Sequence, residues 1–386
     1  MVAFCGSVTA ADAPPAFLTT IDGEVRTGPV SHIVDKFVFQ TEKTKTKTPL
    51  DQLLRLETGH PPVNRRIRSM VILTNGDRLA VDIVRMRDEK LICETNHGDE
   101  LSIPIEYIRA FVLHYPRSAK QRTTLIRTID AHTATDDVFL LENGDRISGE
   151  LLDLTANEAT LQTDNDEFKA PRKGVHAVAM NVDLAAEFSP PELHFILLLT
   201  DGSSISVSTL HFVDDHLRAT TLFDAPFNVS YKNVVAIFGR GRRIVPLSKM
   251  KPKSWDYTPF ISGTRDLKID RNSSGNDLQL SGRRYPHGLG MHSRSAARYQ
   301  LNNDYIAFIA DFGIDDQANG QGSVEFHIKV DDKVMLQKTV KGLASRQSTG
   351  FISLKNANEL TLETDYAGRG DLFDIANWCE PVLIRK

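Results

Sequence analysis

Apolar and polar residues alternate over short stretches along most of the chain, the two-residue period of a strand with one buried face. Leu79, Val81 and Ile83 keep this period, as do Leu91, Cys93 and Thr95, and later Val324, Phe326, Ile328 and Val330. Asn-Gly and Asp-Gly pairs interrupt the stretches and predict tight hairpins with positive φ at both central residues. The pattern predicts an all-β chain.

The alternation itself repeats. Val71–Leu73, Asn75-Gly76-Asp77-Arg78-Leu79, Ile103-Pro104 and Ile108–Phe111 reappear as Phe139–Leu141, Asn143-Gly144-Asp145-Arg146-Ile147, Ala170-Pro171 and Val175–Val178. A further copy runs through Asp201-Gly202, Val229-Ser230 and Val234–Ile237, and another through Asp22-Gly23, Thr48-Pro49 and Leu53–Leu56. From Gly23 to Pro49, Gly76 to Pro104, Gly144 to Pro171 and Gly202 to Ser230 the separations are 26, 28, 27 and 28 residues. Near-constant spacing of this kind marks duplicated modules, placed at 17–57, 70–114, 137–181 and 194–238. Each holds four or five short strands, too little to be stable alone, so the copies should pack on one another. In general shape they resemble the small five-stranded barrels of the Sm-like class. RNA binding does not follow, because neither an RNA-contact motif nor a basic excess is present.

Composition narrows the classes. At roughly 150 residues per domain, 386 residues make two or three compact units; the repeats turn this into four small modules plus a different C-terminal part. With 46 Lys and Arg against 50 Asp and Glu, the net charge of −4 argues against a dedicated nucleic-acid binder. No run approaches the roughly 18 apolar residues of a membrane helix. Cys5, Cys93 and Cys379 are too few and too dispersed for a disulfide framework. Cys93 aligns with the inward Leu161 of the next repeat and reads as a small buried hydrophobe. Residues 1–13 are small and apolar and end in small-x-small triplets before Pro14, which reads as the remnant of a secretory signal and predicts an extracytoplasmic location, periplasmic or secreted. Arg240, Arg242, Arg243, Lys249, Lys251 and Lys253 make 239–254 a basic stretch, read as a solvated connector.

From Trp255 the texture changes. Gly288-x-Gly290-x-His292, Gly313-x-Asp315-Asp316, Gly322-Ser323-Val324-x-Phe326 and Asp371-x-x-Asp374-x-Ala376-x-Trp378 follow one another in order. Together they resemble the NPCBM family of carbohydrate-binding modules over residues 255–386. The resemblance implies a galactose-binding-like jelly-roll β-sandwich, non-catalytic and often attached to enzymes acting on glycans. A sugar is held by stacking its C–H face on an aromatic ring while its hydroxyls meet planar polar groups. Under that resemblance the carbohydrate-binding candidates are His292, Arg294, Asp371, Asp374, Asn377 and Trp378. Each has a structural alternative. Trp378 can be a core plug, His292 can cap a turn permitted by Gly288 and Gly290, and Asp371 with Asp374 can order the last loop against Arg369. No cofactor is required. A structural calcium on Asp315 and Asp316 is the one metal the resemblance admits, a turn-stabilising pair being the other reading.

HExxH, GxSxG, P-loop and complete GxGxxG signatures are absent, and no pair of carboxylates stands out for glycoside hydrolysis. The chain reads as a non-enzymatic glycan-binding protein whose repeats serve as scaffold or as a surface for protein partners. Two other classes stay open: an assembly protein whose sandwich has lost sugar binding, and a hydrolase with a cryptic site.

Overall fold

The computed structural model describes residues 15–33, 36–40, 45–63, 67–164, 166–213, 215–342, 346–368 and 370–386, so the signal-like segment 1–13, Cys5 and Arg369 lie outside the described residues. The described chain is nearly all β, with a single α-helix, Ala119–Asp130. It divides into two compact units, Met1–Val63 with Ser189–Arg240, and Asn64–Phe188 with Gly241–Lys386.

All four repeats open on the same turn. The N–H groups of Thr20, Leu73, Leu141 and Leu199 donate to the carbonyls of Glu24, Asp77, Asp145 and Ser203, while Gly23, Gly76, Gly144 and Gly202 donate back to Thr20, Leu73, Leu141 and Leu199. These glycines alone take positive φ, 85°, 91°, 92° and 88°. This is a type I turn closed by a bulge glycine, not the two-residue turn expected from Asn-Gly. The residue before the glycine is used differently: Asn75, Asn143 and Asp201 accept the N–H two positions on, at 3.0, 3.0 and 2.9 Å, so it acts through its side chain. At the other end of each repeat Pro49, Pro104, Pro171 and Ser230 precede a one-turn 3-10 helix that leads into the last strand. Proline fits there because its fixed φ feeds the turn and no N–H is lost from a ladder.

In each complete repeat the first strand pairs with both the second and the last, and the long second strand shifts register to continue onto the third. Leu79, Val81, Ile83, Leu91 and Cys93 are all buried inside, and burial pushes the Cys93 thiol up, so it stays protonated.

The repeats pair last strand to last strand, nested in chain order. In the first unit Leu53–Glu57 runs antiparallel to Val234–Arg240, with Leu56 opposite Ile237. In the second, Ile108–Val112 runs antiparallel to Val175–Ala179, with Phe111 opposite Val178. In both pairs the facing residues occupy the same place in their strands, the fourth position, which gives each pair a local two-fold. The first repeat thus joins the fourth, and the second joins the third.

Helix Ala119–Asp130, between the second and third repeats, departs from the all-strand expectation. Leu125, Ile126 and Ile129 form its buried face against Met70, Ile72, Val112, Val138 and Leu140. That i, i+1, i+4 spacing is the helical signal.

Residues 244–386 form a β-sandwich. One sheet is built on Ile375–Arg385, Tyr305–Ile314 and Gly288–His292; the other has Ser254–Tyr257, Ser295–Gln300, Glu359–Tyr366, Ser323–Val330 and Lys333–Lys341. Val324, Phe326 and Ile328 are fully buried between them, as aligned sheet packing requires. The basic stretch 239–254 is not a loose connector throughout. Ile244–Pro246 adds a strand to Ile375–Arg385, and Leu247 is fully buried in the sandwich core; these apolar positions outweigh the charges around them.

Candidate functional site

Register brings the sandwich's loops together at one end. His292 lies opposite Ile375 and Ile314 opposite Ala376 in one sheet; Tyr257 lies opposite Ser295, and Val324 opposite Tyr366, in the other. The loops after Tyr257 and His292 and the loop between Tyr366 and Ile375 therefore converge.

The predicted residues separate by depth. His292 is buried, its Nδ1 3.0 Å from the Ser293 carbonyl and its ring 6.4 Å from that of Tyr257. Burial, then the positive charge of Arg265, lowers its pKa, so the imidazole is neutral at pH 7. A neutral ring that donates from Nδ1 to a carbonyl leaves Nε2 as an acceptor. Gly288–His292 is a strand, so His292 caps no turn. The two glycines serve close packing instead: a Cβ on Gly290 would lie 2.2 Å from the Arg271 carbonyl oxygen, and one on Gly288 2.4 Å from that of Trp378.

Arg294 is well exposed, with Nε 3.3 Å from Asp365 Oδ2. Asp371 is half-buried near His292, whose pKa it works to raise. Asp374 is buried and accepts the Ser323 N–H at 2.9 Å through Oδ1; its Oδ2 has no hydrogen-bond partner among the described residues. Burial raises its pKa from the usual 3.8 to about 6. An acid whose folded pKa is raised contributes stability that is complete below pH 3.8 and is lost as pH rises through 6. Asp374→Asn, which keeps the Oδ1 acceptor, is therefore expected to raise the urea midpoint at pH 7.5 and leave it unchanged at pH 3.5. Equal midpoints at both pH values would contradict this account.

Asn377 and Trp378 leave the candidate set because both are fully buried. Asn377 Nδ2 donates to Asp315 Oδ2 at 2.6 Å beneath the hairpin Leu278–Tyr285. Trp378 packs between Phe312 and Phe326, with ring centroids 5.4 and 5.2 Å away. No sugar can stack on a ring enclosed by other rings.

Asp315 and Asp316 are spent as well. Asp315 accepts from the N–H groups of Gln317 and Gln279, both at 3.0 Å, in addition to Asn377. Asp316 accepts from Ser281 and Gly282 at 2.9 and 2.7 Å. Their oxygens face N–H donors, whereas calcium needs them turned inward with several more oxygens, so this pair does not fit the ion. Among the described residues no group of three or more His, Cys, Asp and Glu is placed to hold a metal.

The loop end also carries residues the motifs do not reach. Phe260, 57% exposed, stands edge-on to Tyr366 at 5.4 Å, and Tyr366 Oη donates to the Thr258 carbonyl at 2.8 Å. A Cβ on Gly370 would lie 3.3 Å from the Phe260 ring, so the two loops touch. An exposed apolar pair, Phe260-Ile261, in a Pro-, Ser- and Gly-containing loop is the only sequence signal for this surface. An exposed aromatic face beside a neutral imidazole acceptor, a guanidinium and carboxylates is the chemistry that holds a sugar ring.

Two sheets, the ordered motifs and this loop end lie where the family comparison finds its match. Residues 245–384 match the NPCBM/NEW2 domain model. Alpha-1,3-galactosidase B of Akkermansia muciniphila is 27% identical over 121 residues, 30% of this chain and 15% of the relative. A protein of Renibacterium salmoninarum assigned by name only as an endo-alpha-N-acetylgalactosaminidase is 32% identical over 105 residues, 27% of this chain and 7% of the relative. The chain thus spans a small fraction of either relative. Among solved structures, CBM51 of Clostridium perfringens GH95, in complex with methyl-galactose, has a TM-score of 0.33 at 22% identity, covering 36% of this chain and 99% of that one. CBM51-2 with the INT domains of Clostridium perfringens ZmpB, in complex with GlcNAc, has a TM-score of 0.34 at 20% identity, covering 48% of this chain and 42% of that one. No helix among the described residues of the NPCBM region or the repeats is long and apolar enough to cross a membrane.

Proposed function

We propose that the protein is a non-catalytic, extracytoplasmic glycan-binding protein whose NPCBM region holds a sugar residue at the loop end, with the repeats as its scaffold. The observation that carries the reading is the exposed Phe260 face beside Tyr366, on the same loop cluster as neutral His292 and the Arg294–Asp365 pair. The ring takes the C–H face of a pyranose, His292 Nε2 accepts a hydroxyl proton, and Arg294 and Asp371 supply a donor and an acceptor. The family match supports the ligand class. The two relatives are named as enzymes acting on galactose-type linkages, which makes galactose the first probe and N-acetylglucosamine, held by one structural neighbour, the second.

Calorimetric titration of the full chain with methyl-galactoside and N-acetylglucosamine, backed by a glycan array, tests the reading. Phe260→Ala and Arg294→Ala are each expected to weaken binding roughly tenfold or more, about 1.4 kcal/mol per tenfold, with unchanged unfolding midpoints. Undiminished binding by both variants, or no glycan bound by the folded protein, would overturn it.

A further inference from the structure

The sandwich is docked on helix Ala119–Asp130. Arg271 makes two hydrogen bonds to the Asp130 carboxylate, at 2.9 and 3.0 Å, and Arg127 donates to the Ser274 carbonyl. Beside these contacts a cleft of about 410 Å³ lies between the outer turns of the helix and two sandwich segments, 276–279 and 316–319. Its size falls in the range of small-molecule sites.

The lining is amphipathic in a specific way. Tyr115 and Ile126 give it an apolar wall. Gln279, Gln317 and Asn319 also line it and bring amide side chains. Asn276, 8% exposed, donates from Nδ2 to Gln317 Oε1 at 2.7 Å, which leaves the Gln317 NH2 as a donor. Its own Oδ1 and Asp277 Oδ1 have no partner among the described residues and lie beneath the surface of the cleft wall. The side chains of Lys120, Gln279 and Asn319 likewise make no hydrogen bond or ion pair among the described residues. A neutral molecule with one C–H face and several hydroxyls, each able to donate and accept, satisfies a wall of this kind.

We propose that this cleft is a second sugar-binding site, for a neutral pyranose residue, completed by the helix that joins the second and third repeats. It rests on the loop-end reading only for the class of ligand, and it uses none of the same side chains. The repeats then contribute directly to recognition, and a glycan carrying two suitable residues gains affinity by engaging both sites.

The experiment is a titration of the full chain with galactose, N-acetylglucosamine, glucose, mannose and fucose, followed by calorimetry and ligand-observed NMR. The expected result is two sites per chain. Thr123→Trp fills the cleft from the helix side and removes one; Phe260→Ala removes the other. Should Thr123→Trp fail to fold, the pair Lys120→Ala and Gln279→Ala gives the same reading, a tenfold or greater loss at one site. If Phe260→Ala alone abolishes all binding, the cleft proposal falls and the loop end stands. If Thr123→Trp or the pair alone abolishes it, the cleft stands and the loop-end reading falls. Silence from every sugar overturns both.

Discussion

Asp277→Ala is expected to destabilise the second unit by about 3–5 kcal/mol, the cost of stripping one partner from a buried ion pair. Arg78, on the second strand of the second repeat, is 1% exposed and places Nη1 2.6 Å from Asp277 Oδ2. Burial works to raise the Asp277 pKa, but Arg78, then Arg284 and Arg271, outweigh it and hold the carboxyl below its usual value. Burial, followed by repulsion from Arg78, brings Arg284 down to about 10. One carboxylate thus supports several buried guanidiniums, and removing it leaves them facing one another in a poorly solvated site. Arg78→Met is expected to cost less, because Arg284 and Arg271 still compensate the Asp277 charge and the methionine fills the space with apolar atoms. Urea unfolding at pH 7.5 measures both. A loss under 1 kcal/mol for Asp277→Ala would show the cluster to be solvated. The same variant is expected to separate one cooperative transition of the unit into two, because Arg78 belongs to the repeats and Asp277 to the sandwich.

The repeats are legible in the chain because their turn positions have few chemical substitutes. A bulge at positive φ selects glycine, as at Gly76 and Gly144, and entry to a 3-10 turn suits proline, as at Pro104 and Pro171. Which repeat joins which is not legible. Leu53–Glu57, Ile108–Val112, Val175–Ala179 and Val234–Arg240 all present similar apolar last strands, and the choice among them is made by long-range packing. The helix is hidden for a related reason. Its three core residues, Leu125, Ile126 and Ile129, sit in a polar stretch between strongly patterned strands, where a search for period two passes over them.

The site divides in the same way. His292 and Asp371 lie at the loop end because the motifs that carry them flank paired strands of one sheet, and Arg294 follows His292 in the same loop. Phe260, Tyr257 and Tyr366 reach the same place from loops and strands without a motif, so only register unites them. Asn377 shows the limit of reading polarity as exposure. It alternates with Trp378 and should face outward, but the hairpin Leu278–Tyr285 covers that outer face and turns an amide into a buried crosslink.

Trp378→Ala is expected to cost about 3–5 kcal/mol, the usual range for emptying a large aromatic site in a core. The ring is fully buried against Phe312 and Phe326, and the strand that bears it pairs on both sides, so the surrounding backbone cannot collapse into the void. Trp378→Phe is expected to cost less, about 1–2 kcal/mol, because it keeps most of the ring volume. It also removes an indole N–H that has no acceptor among the described residues, and burying an unpaired donor is itself costly. The two variants test the core assignment. For a core residue, stability falls in the order wild type, Trp378→Phe, Trp378→Ala, and sugar affinity of the folded fraction stays constant. For a stacking platform, affinity falls first and stability barely moves. Intrinsic fluorescence adds an independent reading: Trp378 should emit at short wavelength, resist iodide quenching and ignore added sugar, all measured in a Trp255→Phe background. A sugar-dependent shift of that emission would return Trp378 to the binding surface.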